Sequence, residues 1–288
     1  MTNEPVLVQT IAAFAEGAGG GNPAGVSLGT SLPSERVMQA VAAQVGVSET
    51  AFVAPAAQGW KVRYFAPETE VPFCGHATIA LTAALAASQD IAEFQLTLNH
   101  AQIAVRAEQR GSFIEASFAS PATSSKAAPD DFVEELLDLF AYLPSALDPR
   151  LRPALANAGA THLIVPLASR ATLAAMKYDL DQGRLFMRTH DLVTVAFVYA
   201  ESSALFHARN AFASGGVYED PATGAAAAAL AGYLRDMSWV RDGVIEVLQG
   251  EDMGMPSRIR AEFAATPGSS VRIVGRTRPL TPPRAYSA

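Results

Sequence analysis

Three side chains in this sequence are placed to move or steer protons: Glu49 in VSETAFV, His76 in CGHATIA and Asp220 in EDPATG. A carboxyl group partly buried beside apolar residues such as Val47, Ala51 and Phe52 can act as a general base that removes a proton and then as the acid that returns it. The plainer reading of Glu49 is a solvated carboxylate at a strand end. His76 falls at the first turn of an apolar stretch, where an imidazole either works on a substrate or is hydrogen-bonded to a carbonyl. Asp220 suits a helix N-cap as well as a site. Residue type alone leaves each of these pairs of readings open.

Other chemistries find less support. The histidines, His76, His100, His162, His190 and His207, show no close pairing at helical or ligand spacing, so no metal site is expected. GAGGGNP contains a G-x-G but lacks the six-residue spacing and the later acid of a dinucleotide fingerprint, and no nucleotide cofactor is expected. Cys74, the single cysteine, could be a nucleophile; its Ala-rich setting favours a buried, inert thiol.

Glu70-Val71-Pro72-Phe73-Cys74-Gly75 can be laid over Glu219-Asp220-Pro221-Ala222-Thr223-Gly224 with Glu, Pro and Gly in register, and each hexamer runs into an Ala-rich stretch. Acids and proline are favoured at any helix start, but a six-position match about half a chain apart points to an internal duplication. Two related halves would bring two helix N-termini to one central cleft. Their unpaired N–H groups and dipoles suit a carboxylate or an enolate-like oxygen, and Gly75 and Gly224 would let backbone approach closely.

The elements follow from the pattern. Val6–Phe14 and Ala24–Leu28 read as strands around a Gly-rich turn, and Ser34 caps a helix through Gln44 that shows Val37, Ala40, Val41 and Val45 on one face and stops at Gly46. Strands are expected at 50–53, 60–65, 94–99, 103–107 and 113–118, then at 162–166, 192–199, 204–209, 244–248, 259–263 and 271–274. Ala77–Ala87 and Ala225–Leu234 are apolar on nearly every side, as in helices buried all round. PATSSKAAPDD reads as a linker, and a helix opens the second half near Asp131. Strands dominate without strict alternation with helices, so an α+β fold is expected and a doubly wound parallel sheet is not.

Half of the 288 residues are hydrophobic and 17% are charged, a balance that folds around a large core. A net charge of −7 and the lack of a basic run argue against a nucleic-acid partner. The apolar stretches fall short of the roughly 20 residues of a membrane span, the N-terminus has no basic signal-like region, and the lone cysteine suits a reducing compartment. The expected address is the cytoplasm.

GNPAGV (21–26), SETAFV (48–53), RYFAPETEVPFCGHATIA (63–80), GVYEDPATGAAAAALAGYL (216–234), QGEDMGMPSRI (249–259) and VRIVGRT (271–277) together resemble the signature segments of the PhzF-like phenazine-biosynthesis family. The resemblance implies a diaminopimelate epimerase-like fold of two pseudo-symmetric domains, each a curled mixed sheet around a central Ala-rich helix. The domains would cover 1–120 and 121–275, with a tail of about 276–288 returning to the first. It also implies a homodimer and a cofactor-free isomerase in which the glutamate of the SET segment, Glu49 here, relays a proton within a dihydro-hydroxyanthranilate-type substrate. His76 and Asp220 would line the site, with Asn22, Gly75, Gly224 and Ala225 among the substrate contacts.

The chain departs from the family pattern at three places. Ala225 lacks the hydroxyl usual after EDPATG, Met255 stands in the usual Gly-Arg-Pro, and Phe212 is displaced from the usual R-x-F. The duplication sets Thr223 opposite Cys74, which disfavours racemisation by two opposed thiols. The expectation is an isomerase that shifts a proton between carbons of a small carboxylate-bearing substrate. The alternative from another class is a small-molecule binding or regulatory protein that keeps the fold without turnover.

Overall fold

The computed structural model describes residues 5–87 and 91–287; the first four residues of the N-terminal segment and the last residue of the expected tail lie outside the described residues. The chain divides into two compact units, Met1–Ala119 with Val274–Ala288, and Ser120–Ile273.

In the first unit, β1 (Val6–Ala13), β2 (Asn22–Leu28), β3 (Thr50–Pro55), β4 (Trp60–Phe65), β6 (Ile91–Thr97), β7 (Gln102–Arg110) and β8 (Phe113–Ala119) lie side by side in that order, and the two-residue β5 (Glu70–Val71) is hung on β4. The C-terminal strand, Arg272–Tyr286, pairs antiparallel with β1 and also pairs with β8, so the sheet closes on itself. Closure removes the free edges that an open sheet would present.

The helix α2 (Gly75–Leu85) packs against β1, β2, β3, β7 and β8, and every side chain from His76 to Ala84 is buried. It has no polar stripe because it has no solvent face. On the outside, α1 (Glu35–Val45) buries Met38, Val41 and Ala42 against Val8, Phe52 and Phe65. The buried face is thus rotated towards Met38 and Ala42 from the expected stripe, with Val37 and Val45 flanking it. Ser34 is the N-cap but makes no side-chain cap bond, and Gly46 ends the helix at φ 72°, a conformation glycine adopts without steric cost.

The second unit carries β9 (Ser124–Ala127), α3 (Asp130–Leu139), β10 (Ala154–Asn157), β11 (Thr161–Pro166), α4 (Arg170–Ala174), α5 (Leu180–Thr189), β12 (Thr194–Ala200), β13 (Leu205–Ala211), β14 (Glu219–Asp220), α6 (Gly224–Asp236), β15 (Gly243–Gln249) and β16 (Ser257–Phe263). The segment PATSSKAAPDD is therefore not a linker: Ser124–Ala127 forms a strand antiparallel to β10. Its small polar residues have little strand propensity of their own, and pairing imposes the conformation. Helix α6 lies against β9, β10, β11 and β16 and is buried almost throughout, while α3 and α5 pack Phe132, Leu136, Phe186 and Met187 onto Val165, Val195 and Phe197.

The duplication extends from the hexamers to the pairing pattern. In the first unit β2 runs parallel to β3, β3 antiparallel to β4, β4 parallel to β6 and β6 antiparallel to β7. In the second, β11, β12, β13, β15 and β16 repeat that sequence of directions, and β14 hangs on β13 as β5 does on β4. This is the expected α+β architecture, a curled mixed sheet around a buried Ala-rich helix, built twice.

Candidate functional site

The first unit gathers Glu49, Cys74 and His76. Glu49 directly precedes β3, and its carbonyl accepts a hydrogen bond from the Gly25 amide of β2 at 3.0 Å, which fixes its backbone to the sheet. Cys74 is the N-cap of α2, and His76 is one residue inside the helix. The helix start is held in turn: the Thr78 hydroxyl donates to the Cys74 carbonyl at 2.7 Å and accepts from the Tyr64 hydroxyl at 2.7 Å. Burial pushes the Tyr64 phenol well above the usual tyrosine range.

Three groups surround the His76 ring. Ser48 Oγ is 3.1 Å from Nε2, Glu49 Oε2 is 3.2 Å from the same nitrogen, and Cys74 Sγ is 3.3 Å from Nδ1. The Glu49 side chain is only 14% exposed and that of His76 8%, so the solvated strand-end reading of Glu49 is set aside. Glu49 Oε2 lies close to the imidazole yet is out of hydrogen-bonding alignment, and it is a buried carboxylate oxygen with no hydrogen-bond partner. A buried acceptor left in this state costs free energy unless something else takes it up. One donor atom each from Glu49, Cys74 and His76 lie within 4.8 Å of one another, a set of the types that zinc takes. The spacing of the histidines could not show such a group, because it holds a single histidine and draws Glu49 from outside the helix that carries Cys74 and His76.

Asn22 is the first residue of β2, opposite Ala13, and is buried. At Gly75 a Cβ would stand 3.2 Å from Phe118 Cζ, and Phe118 in turn meets Phe73 edge-on, so aromatic packing also favours glycine there.

In the second unit Asp220 is not the helix cap. It forms the end of β14, and Thr223 occupies the N-cap of α6. The Thr223 hydroxyl donates to Asp220 Oδ2 at 2.6 Å, and Gly224 and Ala225 open the helix just beyond. Behind them stands a chain of hydrogen bonds that reasoning on the sequence did not find. Gln249 Nε2 donates to the Asp220 carbonyl at 2.6 Å and to Thr223 Oγ1 at 3.0 Å, while its Oε1 accepts from the Thr223 amide at 3.2 Å and from Asn210 Nδ2 at 3.1 Å. Asn210 Oδ1 accepts from the Thr194 hydroxyl at 3.3 Å, and Thr194 Oγ1 lies 2.8 Å from His162 Nδ1. Since the Thr194 proton is committed to Asn210, His162 Nδ1 must be the donor to Thr194. Burial pushes the His162 imidazole down to about 4, and its Nε2 has no partner.

The strand registers show which positions correspond. Arg63 lies opposite Phe52, and Arg209 lies opposite Phe197. Counting three residues back along each partner strand sets Glu49 and Thr194 at the same place in the two copies, as the hexamers set Cys74 beside Thr223 and His76 beside Ala225. Each copy also keeps a bidentate ion pair from its arginine to the hexamer glutamate. Arg63 Nε and Nη2 reach Glu70 at 2.7 and 2.5 Å, and Arg209 Nε and Nη2 reach Glu219 at 2.9 and 2.5 Å. The frame is thus shared, while the proton-bearing groups of the first copy have no titratable counterparts in the second.

A family profile described as "Phenazine biosynthesis-like protein" matches residues 11–280. The chain is 33% identical to the trans-2,3-dihydro-3-hydroxyanthranilate isomerase of Pseudomonas chlororaphis, over 92% of this chain and 94% of the relative. It is 30% identical to an uncharacterized isomerase of Mesorhizobium japonicum, over 88% and 90%. A phenazine biosynthesis protein of the PhzF family from Bacillus anthracis superposes with a TM-score of 0.87 at 21% identity, covering 98% of this chain and 99% of that one.

Proposed function

This chain belongs to the phenazine biosynthesis-like protein family, and from that membership we propose that it is an isomerase in which Glu49 alone shifts a proton between two carbons of a small carboxylate-bearing substrate. The observation that carries the reading is the Glu49 carboxylate, mostly buried, with an oxygen that has no hydrogen-bond partner beside His76. Such an oxygen is ready to accept a proton from carbon. The Glu49 carboxylate takes that proton, the electron pair left behind spreads into the conjugated system of the substrate, and the same proton is delivered to a second carbon, so nothing is gained or lost overall. His76 and Asp220 orient the substrate, with Asn22 and Ala225 as further contacts, and the amides at Gly75 and Gly224 meet the developing negative charge. No cofactor enters this scheme. The compound named for the Pseudomonas relatives, trans-2,3-dihydro-3-hydroxyanthranilate, is the first substrate to try.

The test is Glu49→Gln. The amide is nearly isosteric but cannot accept and return the proton, so the variant is expected to keep its fold and ligand affinity while the rate falls by roughly 10² to 10⁴. Near-wild-type turnover would remove the assignment. The binding-protein alternative is supported instead if the wild type binds the compound, Glu49→Gln binds it equally well, and neither turns it over.

A further inference from the structure

We infer that Gln249 is a positioning residue, whose side-chain amide sets the Asp220 backbone and the Thr223 hydroxyl in the arrangement that presents the Asp220 carboxylate to substrate; this rests on the reading of Asp220 as a substrate contact. Gln249 is 1% exposed, as is Asn210, and it ends β15 next to Ala208 of β13. Each of its polar atoms is used twice, Oε1 as acceptor and Nε2 as donor.

The donor sense along the chain is uniform. His162 donates to Thr194, Thr194 to Asn210, Asn210 to Gln249, Gln249 to Thr223, and Thr223 to Asp220 Oδ2. A hydroxyl has one proton, and because Gln249 Nε2 is a donor to the Thr223 oxygen, that proton is left to point at the Asp220 carboxylate. The carboxylate is thereby kept an acceptor at Oδ2. Gln249 touches no substrate in this scheme and acts through its neighbours.

The two halves of the amide can be tested separately. Gln249→Glu keeps an acceptor for the Thr223 amide and for Asn210 but removes the donors; Gln249→Met removes both and fills similar volume. With trans-2,3-dihydro-3-hydroxyanthranilate as the probe, both variants are expected to raise KM roughly 10-fold, with kcat within about 3-fold, the size of one or two lost hydrogen bonds. In hydrogen exchange followed by NMR, the Thr223 amide is expected to exchange at least about 10-fold faster in Gln249→Met and at near the wild-type rate in Gln249→Glu. The Ala227 amide, bonded to the Thr223 carbonyl at 3.0 Å, serves as the control for general loosening. Should Gln249→Glu fail to fold, Gln249→Met decides. Unchanged KM in the folded variants, or an unchanged Thr223 amide in Gln249→Met, overturns the inference. A wild type that does not turn over the probe refutes this compound as the substrate, and the exchange result then decides on Gln249 by itself.

Discussion

Replacing Glu219 with glutamine is expected to cost far more stability than the same change at Glu70, although the two glutamates hold matching arginines in the two copies of the repeat. The side chains of Arg209 and Glu219 are 9% and 3% exposed, against 18% and 24% for Arg63 and Glu70. Glutamine at 219 turns one of its two positions towards Arg209 as an N–H donor facing a donor, and it leaves the guanidinium buried without its main counter-charge. Loss of one partner from a buried pair costs about 3–5 kcal/mol. The carbonyls of Ala174 and Met176 still accept from Arg209, and Asp252 Oδ2 stands 3.9 Å away, which places the cost near the lower bound, about 3 kcal/mol. Arg63 keeps an ion pair with Glu35 at 2.9 Å and more contact with water, so Glu70→Gln should cost about 1 kcal/mol or less. The two tryptophans make the assay specific: Trp60 reports on the first unit and Trp239 on the second. Urea unfolding followed by fluorescence in Trp60→Phe and Trp239→Phe backgrounds reads each unit separately. The Arg63 hydrogen bond holds the Glu70 carboxyl below its usual range. Its stabilisation is therefore full above about pH 4.5 and fades as pH falls through the lowered value, so the deficit of Glu70→Gln should shrink in acid. A Glu219→Gln cost no larger than that of Glu70→Gln would refute the reasoning.

Burial holds His162 at about 4, whereas the unfolded chain takes up its proton near pH 6.5; stability should be full above pH 6.5 and fall by about 3 kcal/mol as pH drops to 4. Urea midpoints of wild type and His162→Gln at pH 7 and 4.5 measure that share, and parallel curves would contradict it. Gly275→Ala should destabilise by about 1–3 kcal/mol, since a Cβ there would sit 2.3 Å from Cδ1 of the buried Phe14; a thermal melt unchanged from wild type counts against this packing. His76→Ala and Asp220→Ala should raise KM as well as lower kcat, in contrast to Glu49→Gln, and steady-state kinetics distinguishes the patterns. Dialysis against a chelator should leave turnover unchanged, and loss of activity restored by stoichiometric metal would give the Glu49–Cys74–His76 group another role.

The parts of this fold that could be read from the sequence are those whose cause is local. The helices α2 and α6 announce themselves because a stretch without a polar face can only be interior, and the matching hexamers announce the repeat. The strand Ser124–Ala127 is made by its partner β10 and has no signature of its own. Helix α5 also has a local cause: Asp179 accepts from the Gln182 amide, an ordinary cap and third-residue signal. At the site, Glu49 and His76 are recognisable by type and by motif, and Asp220 invites misreading as a cap because an acid before a proline so often is one. Gln249 and Asn210 could not be paired in advance, since 39 residues separate them and only the parallel pairing of β13 with β15 brings their strands together.

The C-terminal strand has a consequence for how the chain is made. The first unit is interrupted: its sheet is completed only by residues after Val274, once Ser120–Ile273 has been synthesised. At translation rates of about 5–20 residues per second, roughly ten seconds or more must pass with β1 and β8 exposing unpaired edges while the second unit is being synthesised. Nascent chains are therefore most exposed to edge-to-edge aggregation in that interval, and a truncation before Val274 would make the interval permanent, leaving a folded second unit on an unclosed first.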